Sequence, residues 1–361
     1  MTPLAEKIVG LIEASGPLSV ADYMALCLFD PAYGYYATRE PFGAKGDFTT
    51  APEISQMFGE LVGVWIYQAW QTADAPFPVT IAEIGPGRGT LMKDLLRTLG
   101  KLDPLLVRNA RFALVETSPR LTEIQKRTLD GVGMEITWHM GIDALPPAPL
   151  ILVGNELFDA LPVRQYVKTA SGWRERVVGH GEDGKLAFLA GPGAPDETLL
   201  PSDAVDAAEG AIVELAPART ALMEAVAARL AGHGGAALFI DYGSLEPGTG
   251  DTLQAVSRHE YDDVLGRPGE ADLTAHVDFF ALASVARSRG LTASLTTQGD
   301  FLLRMGLLER AGALGANGGE TLRDKLRGEV ERLAGPDAMG ELFKVLEVSA
   351  FRSQVSPKIK R

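Results

Sequence analysis

The strongest chemical signal in the chain is the segment Ala82-Glu83-Ile84-Gly85-Pro86-Gly87-Arg88-Gly89-Thr90, set between an apolar run (79–85) and a helix-like stretch (89–99). Glycines at such a junction let the backbone turn tightly and approach a ligand with no Cβ in the way. A triphosphate-cradling loop needs a glycine, four residues and then Gly-Lys-Ser/Thr, but here Arg88 precedes Gly89-Thr90 and no lysine is present. A dinucleotide turn reads G-x-G-x-x-G, whereas this one reads G-x-G-x-G with Pro86 inside it. Glu83, two places before the first glycine, points to another ligand. A carboxylate beside the turn repels a diphosphate and suits a ligand with cationic groups. S-adenosyl-L-methionine (SAM), with an α-amino group and a sulfonium, is such a ligand. The plain structural alternative is that Glu83 caps the turn and the glycines serve helix and strand packing.

Two other strand ends carry acids. Glu116 closes the run RFALVE (111–116), where an acid in a doubly wound nucleotide binder accepts both ribose hydroxyls. It stands 29 residues after Gly87, and the helix and loop between them account for the length. Read alone, Glu116 serves equally as a first-turn cap for a helix from Pro119. After LILVG comes Asn155-Glu156-Leu157-Phe158-Asp159, with two acids three residues apart. At the end of the fourth strand such side chains can orient a guanidinium or amine acceptor, because methyl transfer is an in-line displacement that chiefly needs alignment and exclusion of water. Their alternative role is an N-cap and a solvated helix start.

Positioning these groups requires a sheet. The runs at 79–85, 111–116, 134–139, 150–155 and 236–243 are continuously apolar, as in parallel strands buried on both faces. Helical stretches at 89–99, 119–129 and 217–231 alternate with them, and late strands are expected near 291–296 and 343–351 after helices at 277–289 and 319–334. The pattern predicts an α/β fold with a doubly wound, mostly parallel seven-stranded sheet. Residues 163–190 alternate polar and apolar with turns at Ser171-Gly172 and Asp183-Gly184, which reads as an antiparallel meander. At the N-terminus, Leu4, Ile8, Leu11 and Ile12 share a helix face that Gly16-Pro17 ends, and Ser19 with Asp22 opens a second helix. The expected organisation is an N-terminal helical cap with a cofactor-covering loop (1–75), then a core (76–361) carrying a β and loop insertion at about 163–205 and a C-terminal extension that completes the sheet. Loops at 39–53, 191–201 and 243–251 hold 7 of the 40 glycines and 6 of the 22 prolines.

Composition narrows the partners. The net charge of −13 disfavours nucleic acid and anionic membrane surfaces. No window reaches the roughly 18 uninterrupted apolar residues that cross a bilayer. The single cysteine, Cys27, suits a reducing compartment, and the N-terminus reads as neither signal nor transit peptide, so a bacterial-type cytoplasmic location is expected. The five histidines are scattered, and no metal site is expected.

Several strings taken together resemble one family, the MidA-like proteins: YMALCLFDPAYGYY (23–36), GDFTTAPEISQMFGELVGVW (46–65), EIGPGRGTLMKDLLR (83–97), NELFDALPVRQ (155–165), DYG (241–243), DLTAHVDF (272–279), TQGDFL (297–302) and MGELFKVL (339–346). The resemblance spans about residues 20–350. It implies a Rossmann-like SAM-dependent methyltransferase acting on a protein. The family's mitochondrial complex I assembly factor methylates arginine, so an arginine of a respiratory complex I subunit is the implied target. By the same resemblance Glu83, Gly85, Pro86, Gly87 and Glu116 bind SAM. Asp47, Thr49 and Thr50, with Gly46, Phe48, Pro52, Glu53 and Ser55, fall in a segment that packs over it, and Asn155, Glu156 and Asp159 stand at the acceptor. His276 reads as structural or catalytic, and Tyr23, Tyr33, Tyr35 and Tyr36 as cap core or acceptor pocket. Two readings of other classes remain: a SAM-binding assembly scaffold with little turnover, and a nicotinamide-dependent oxidoreductase, which Pro86 and the missing third glycine disfavour. The sequence leaves the oligomeric state open.

Overall fold

The apolar runs of the sequence become strands of one sheet in the computed structural model, which describes residues 2–39, 50–257 and 260–350. Seven of them are β1 (Thr80–Ile84), β2 (Arg111–Val115), β3 (Ile136–His139), β4 (Leu150–Asn155), β5 (Gly235–Ser244), β6 (Thr292–Thr297) and β7 (Phe343–Ser349). They lie in the order β6-β7-β5-β4-β1-β2-β3. β5, β4, β1, β2 and β3 run parallel, and β7 is antiparallel to both β5 and β6. Every residue of β1 and β4 is buried, as central parallel strands covered on both faces require. The strand order reverses between β1 and β4, so their carboxyl ends open the crevice where such sheets bind ligands.

Helices follow from local sequence. α1 (Gln56–Thr72) starts at Ser55, whose hydroxyl accepts the Met57 N–H. α2 (Thr90–Leu102) buries Leu91, Leu95 and Leu99, spaced by one turn, each contributing about 2 kcal/mol of burial. α3 (Pro119–Thr128) has Ser118 as its N-cap and proline at its first position. α1 and α2 approach closely because a Cβ on Gly59 would stand 2.6 Å from that of Asp94. Buried Glu60 on α1 takes a two-pronged ion pair from Arg310 at 2.6 and 2.9 Å.

Contacts divide the chain into two compact units, one of Ala51–Asn155, Leu222–Leu245 and Phe279–Arg361, holding this sheet, and one of Met1–Thr50, Glu156–Ala221 and Glu246–Asp278. The second contains the expected meander, with Arg164–Thr169, Gly172–His180 and Leu186–Ala190 in antiparallel register. Ile212–Leu215 returns to pair with Arg164–Thr169, and Leu18–Ser19 adds to the other edge. A three-stranded sheet (Glu260–Asp262, Gln254–Ser257, Asp272–Thr274) belongs to the same unit. The helices Pro3–Ser15 and Val20–Phe29 end and begin at Gly16 and Ser19 as the sequence predicts. Leu4, Ile8 and Ile12 are buried against Val178 and Leu273, whereas Leu11 is only partly covered. Compactness therefore does not change at residues 75/76: α1 packs with the large sheet, and the N-terminal helices share one core with the inserted strands. No helix among the described residues is long and apolar enough to cross a membrane.

Candidate active site

The turn between β1 and α2 is built on left-handed glycines, with φ of 66° at Gly85, 50° at Gly87 and 83° at Gly89. The Gly85 N–H donates to the Val115 carbonyl (3.1 Å) and the Gly89 N–H to the Pro86 carbonyl (2.7 Å), which fixes the turn against β2. Thr90, the first residue of α2, donates its hydroxyl to Glu53 Oε1 at 2.5 Å, tying the short helix Ala51–Ile54 to the edge of the turn. Gly46, Asp47, Phe48 and Thr49 lie outside the described residues, and Thr50 immediately precedes that helix.

Glu83, the penultimate residue of β1, is 3% exposed. Its carboxyl accepts the Met92 N–H, yet burial pushes its pKa up to about 8. Its other oxygen, Oε2, is buried without a hydrogen-bond partner. A buried acceptor with nothing to accept is costly and points to a donor or cation supplied by a ligand. Glu116 follows β2. Its Oε1 accepts the Ser118 N–H at 2.7 Å and its Oε2 the side-chain amide of Gln125 at 2.9 Å. Both proposed roles are thus compatible: Glu116 caps the chain entering α3, and each oxygen retains a lone pair for a hydroxyl. Burial raises its pKa, opposed by the Ser118 and Gln125 hydrogen bonds. Gln125 is a residue that the sequence did not mark, since an isolated polar position on a helix has no pattern to betray it.

Asn155 is buried at the end of β4, beside β1. Glu156 follows with φ of 52°, a left-handed conformation that a residue with a Cβ adopts at a cost of order 1 kcal/mol or more. Asp159 is buried in the other unit, on a segment that Arg219 secures. The buried Arg219 guanidinium donates to the carbonyls of Leu161 (3.3 Å), His276 (2.6 Å), Asp159 (3.2 Å) and Ala275 (3.0 Å). Nothing in the sequence distinguished Arg219 from a solvated residue in the first turn of a helix. Because only a planar five-donor fork reaches four carbonyls, Arg219→Lys is expected to cost about 2 kcal/mol or more, read as a lowered midpoint in thermal unfolding. An unchanged midpoint would show that the fork is dispensable.

The main chain of His276 is structural: its N–H donates to Thr252 Oγ1 (2.9 Å) and its carbonyl serves Arg219. Tyr23 and Tyr35 lie in the core and Tyr33 is exposed, whereas the Tyr36 hydroxyl donates to Asp272 at 3.1 Å. No cluster of metal-binding side chains occurs among the described residues.

A parallel sheet with a single antiparallel β7 inserted beside β5, together with a glycine turn flanked by buried acids, defines a SAM-dependent methyltransferase domain. Residues 61–297 match the model of a family described as "Putative S-adenosyl-L-methionine-dependent methyltransferase". Protein arginine methyltransferase NDUFAF7, mitochondrial, of Danio rerio is 36% identical over 96% of this chain and 85% of that protein. The Homo sapiens protein of the same name is 36% identical over 95% and 82%. A Burkholderia thailandensis crystal structure bound to S-adenosyl-homocysteine is 31% identical, with a TM-score of 0.83 over 96% of this chain and 91% of that one. The chain belongs to this family of SAM-dependent methyltransferases, and SAM is its cofactor. When bound, SAM supplies a methyl group on a sulfonium. Glu83 with its unmatched oxygen and the left-handed glycines fit such a group.

Proposed function

We propose that this methyltransferase modifies an arginine side chain of a protein, and that a subunit of respiratory complex I is its target. The observation that carries the arginine reading is the near full-length identity to proteins named protein arginine methyltransferase. The acids Glu156 and Asp159 support it chemically. The Glu156 carboxylate, next after β4, and the Asp159 carboxylate, three residues on, would hold a guanidinium in line, localise a lone pair on one nitrogen and take up the proton that the nitrogen sheds as it gains a methyl group. Asn155 would orient the same group by its amide. Glu83, Gly85, Pro86, Gly87 and Glu116 would hold the cofactor, a role that the family resemblance also implies for Asp47, Thr49 and Thr50. The lone cysteine, buried Cys27, supports a reducing compartment, and we place the chain in a bacterial-type cytoplasm.

Incubating the protein with methyl-labelled SAM and lysate of a strain lacking it is expected to label one polypeptide on arginine. Asp159→Asn is expected to lower that labelling by about a hundredfold while SAM affinity, measured by calorimetry, stays within threefold. Label on lysine would overturn the arginine reading, and no labelled polypeptide at all would favour a SAM-binding scaffold.

A further inference from the structure

Gln125 is fully buried on α3, one turn after the buried Leu121. A primary amide in such a place is tolerated only when its hydrogen bonds are met. Here each one reaches a different element. Nε2 donates to the Gly87 carbonyl (2.9 Å) in the turn after β1 and to Glu116 Oε2 (2.9 Å) at the end of β2. Oε1 accepts the indole N–H of Trp138 (3.0 Å) on β3. The orientation cannot be reversed, because a flipped amide would set its oxygen against a carbonyl and a carboxylate and its NH2 against an indole N–H. The same amide therefore fixes two groups. It selects the rotamer of Glu116, and by holding the Gly87 carbonyl it fixes the peptide plane whose other face carries the Arg88 N–H.

We propose that Gln125 is a positioning residue for SAM, locking the Glu116 carboxylate and the glycine turn into one preorganised half-site. This rests on the reading that Glu116 takes the ribose and Gly87 lines the cofactor. Leucine or methionine would fill the same space but leave the Gly87 carbonyl, Glu116 Oε2 and the Trp138 indole N–H each short of a partner, so it is these three groups and not the packing that call for an amide at this position. Preorganisation acts on affinity: with both groups free to rotate, binding must order them, and the chemical step itself is untouched.

The test uses the whole chain with Gln125→Met, which keeps the volume, and Gln125→Glu, which keeps the shape but sets a carboxylate against Glu116 and the Gly87 carbonyl. Gln125→Met is expected to weaken SAM binding about tenfold or more by calorimetry, raising KM for SAM while kcat at saturating SAM changes less than threefold. Gln125→Glu is expected to weaken it about a hundredfold at pH 8 relative to wild type at the same pH, and to recover about tenfold of that loss at pH 5.5, where the introduced carboxyl is protonated and restores one of the two donated bonds. The charged groups bearing on this position include Glu116 opposite and Arg120, five residues earlier on α3, whose charge reaches Glu116. Trp138 emission should change in Gln125→Met, which loses the indole's acceptor, and stay near wild type in Gln125→Glu. A folded Gln125→Glu that binds SAM within threefold of wild type at both pH values overturns the proposal, whatever becomes of Gln125→Met. Glu116→Gln separates the two failures. If it also binds like wild type, the ribose reading falls. If it loses binding while both Gln125 variants keep it, only the positioning role falls.

Discussion

Valine in place of Gly87 yields a folded protein whose SAM affinity is lower by more than about a hundredfold. Gly87 sits at φ of 50°, where a β-branched residue is a genuine outlier, so the turn must shift or carry the strain. Shifting is opposed on one side by Gln125, which holds the Gly87 carbonyl. On the proposed ligand side the added methyl groups would occupy space that a glycine leaves to the cofactor. The sheet has little stake in the change, because β1 ends before the turn and its core contacts stay intact. Far-UV circular dichroism should therefore match wild type while calorimetric titration shows no binding at millimolar SAM. Gly87→Asn divides the two causes. Asparagine accepts the left-handed conformation more readily than other residues, so retained binding would assign the valine effect to strain, and lost binding to filled space. A valine variant that binds within tenfold of wild type would show that the turn does not face the cofactor.

The sheet was legible because parallel central strands leave a distinctive trace, a short continuous apolar run bounded by turn residues. β4 occupies the expected residues, and β1, β2 and β5 lie within a residue or two of theirs. Glu83 and Glu116 stand out in the sequence for a related reason, as acids at the carboxyl ends of such runs, and their part in holding the cofactor is a proposal. α1 was hidden inside an expected cap. Its buried face of Met57, Leu61, Trp65 and Ile66 is regular, but nothing local says which core it joins. The three-stranded sheet uses strands of three and four residues, too short for a period to register. The unit boundaries were also out of reach, because shared burial of Leu4 with Val178 and Leu273 is set by contacts remote in sequence. Gln125 and Arg219 are the sharpest case. Arg219 acts through four backbone carbonyls, which carry no residue identity for a pattern to reveal, and Gln125 through one carbonyl and two side chains on separate elements, which no local period links.

Glu83→Gln should separate stability from binding, raising the first and removing the second. In the folded cofactor-free chain the Glu83 carboxyl titrates at about 8, against an ordinary value of 4.5. Between these values the unfolded chain has lost the proton and the folded chain has kept it, so the unfolded state binds fewer protons and stability falls as pH rises from 4.5 towards 8. At pH 7 this amounts to roughly 3 kcal/mol. Glutamine has no proton to lose, so the variant should unfold at a higher temperature than wild type at pH 7 to 8, with the difference vanishing near pH 4.5. SAM acts in the opposite direction. A cationic ligand favours the carboxylate, so binding to wild type below pH 8 should release close to one proton per site, and affinity should rise up to tenfold per pH unit before levelling near 8. Calorimetry in two buffers of different ionisation enthalpy counts that proton directly. S-adenosyl-homocysteine, without the sulfonium charge, should show a shallower slope. Glu83→Gln should release no proton and bind SAM at least a hundredfold more weakly at pH 8, despite its greater stability. Proton-free binding by wild type at pH 7, together with the expected gain in stability of Glu83→Gln at that pH, would mean that Glu83 stays neutral and donates a hydrogen bond through its protonated oxygen. The carboxylate reading of the turn would then be lost, while the glycine geometry beside it would stand.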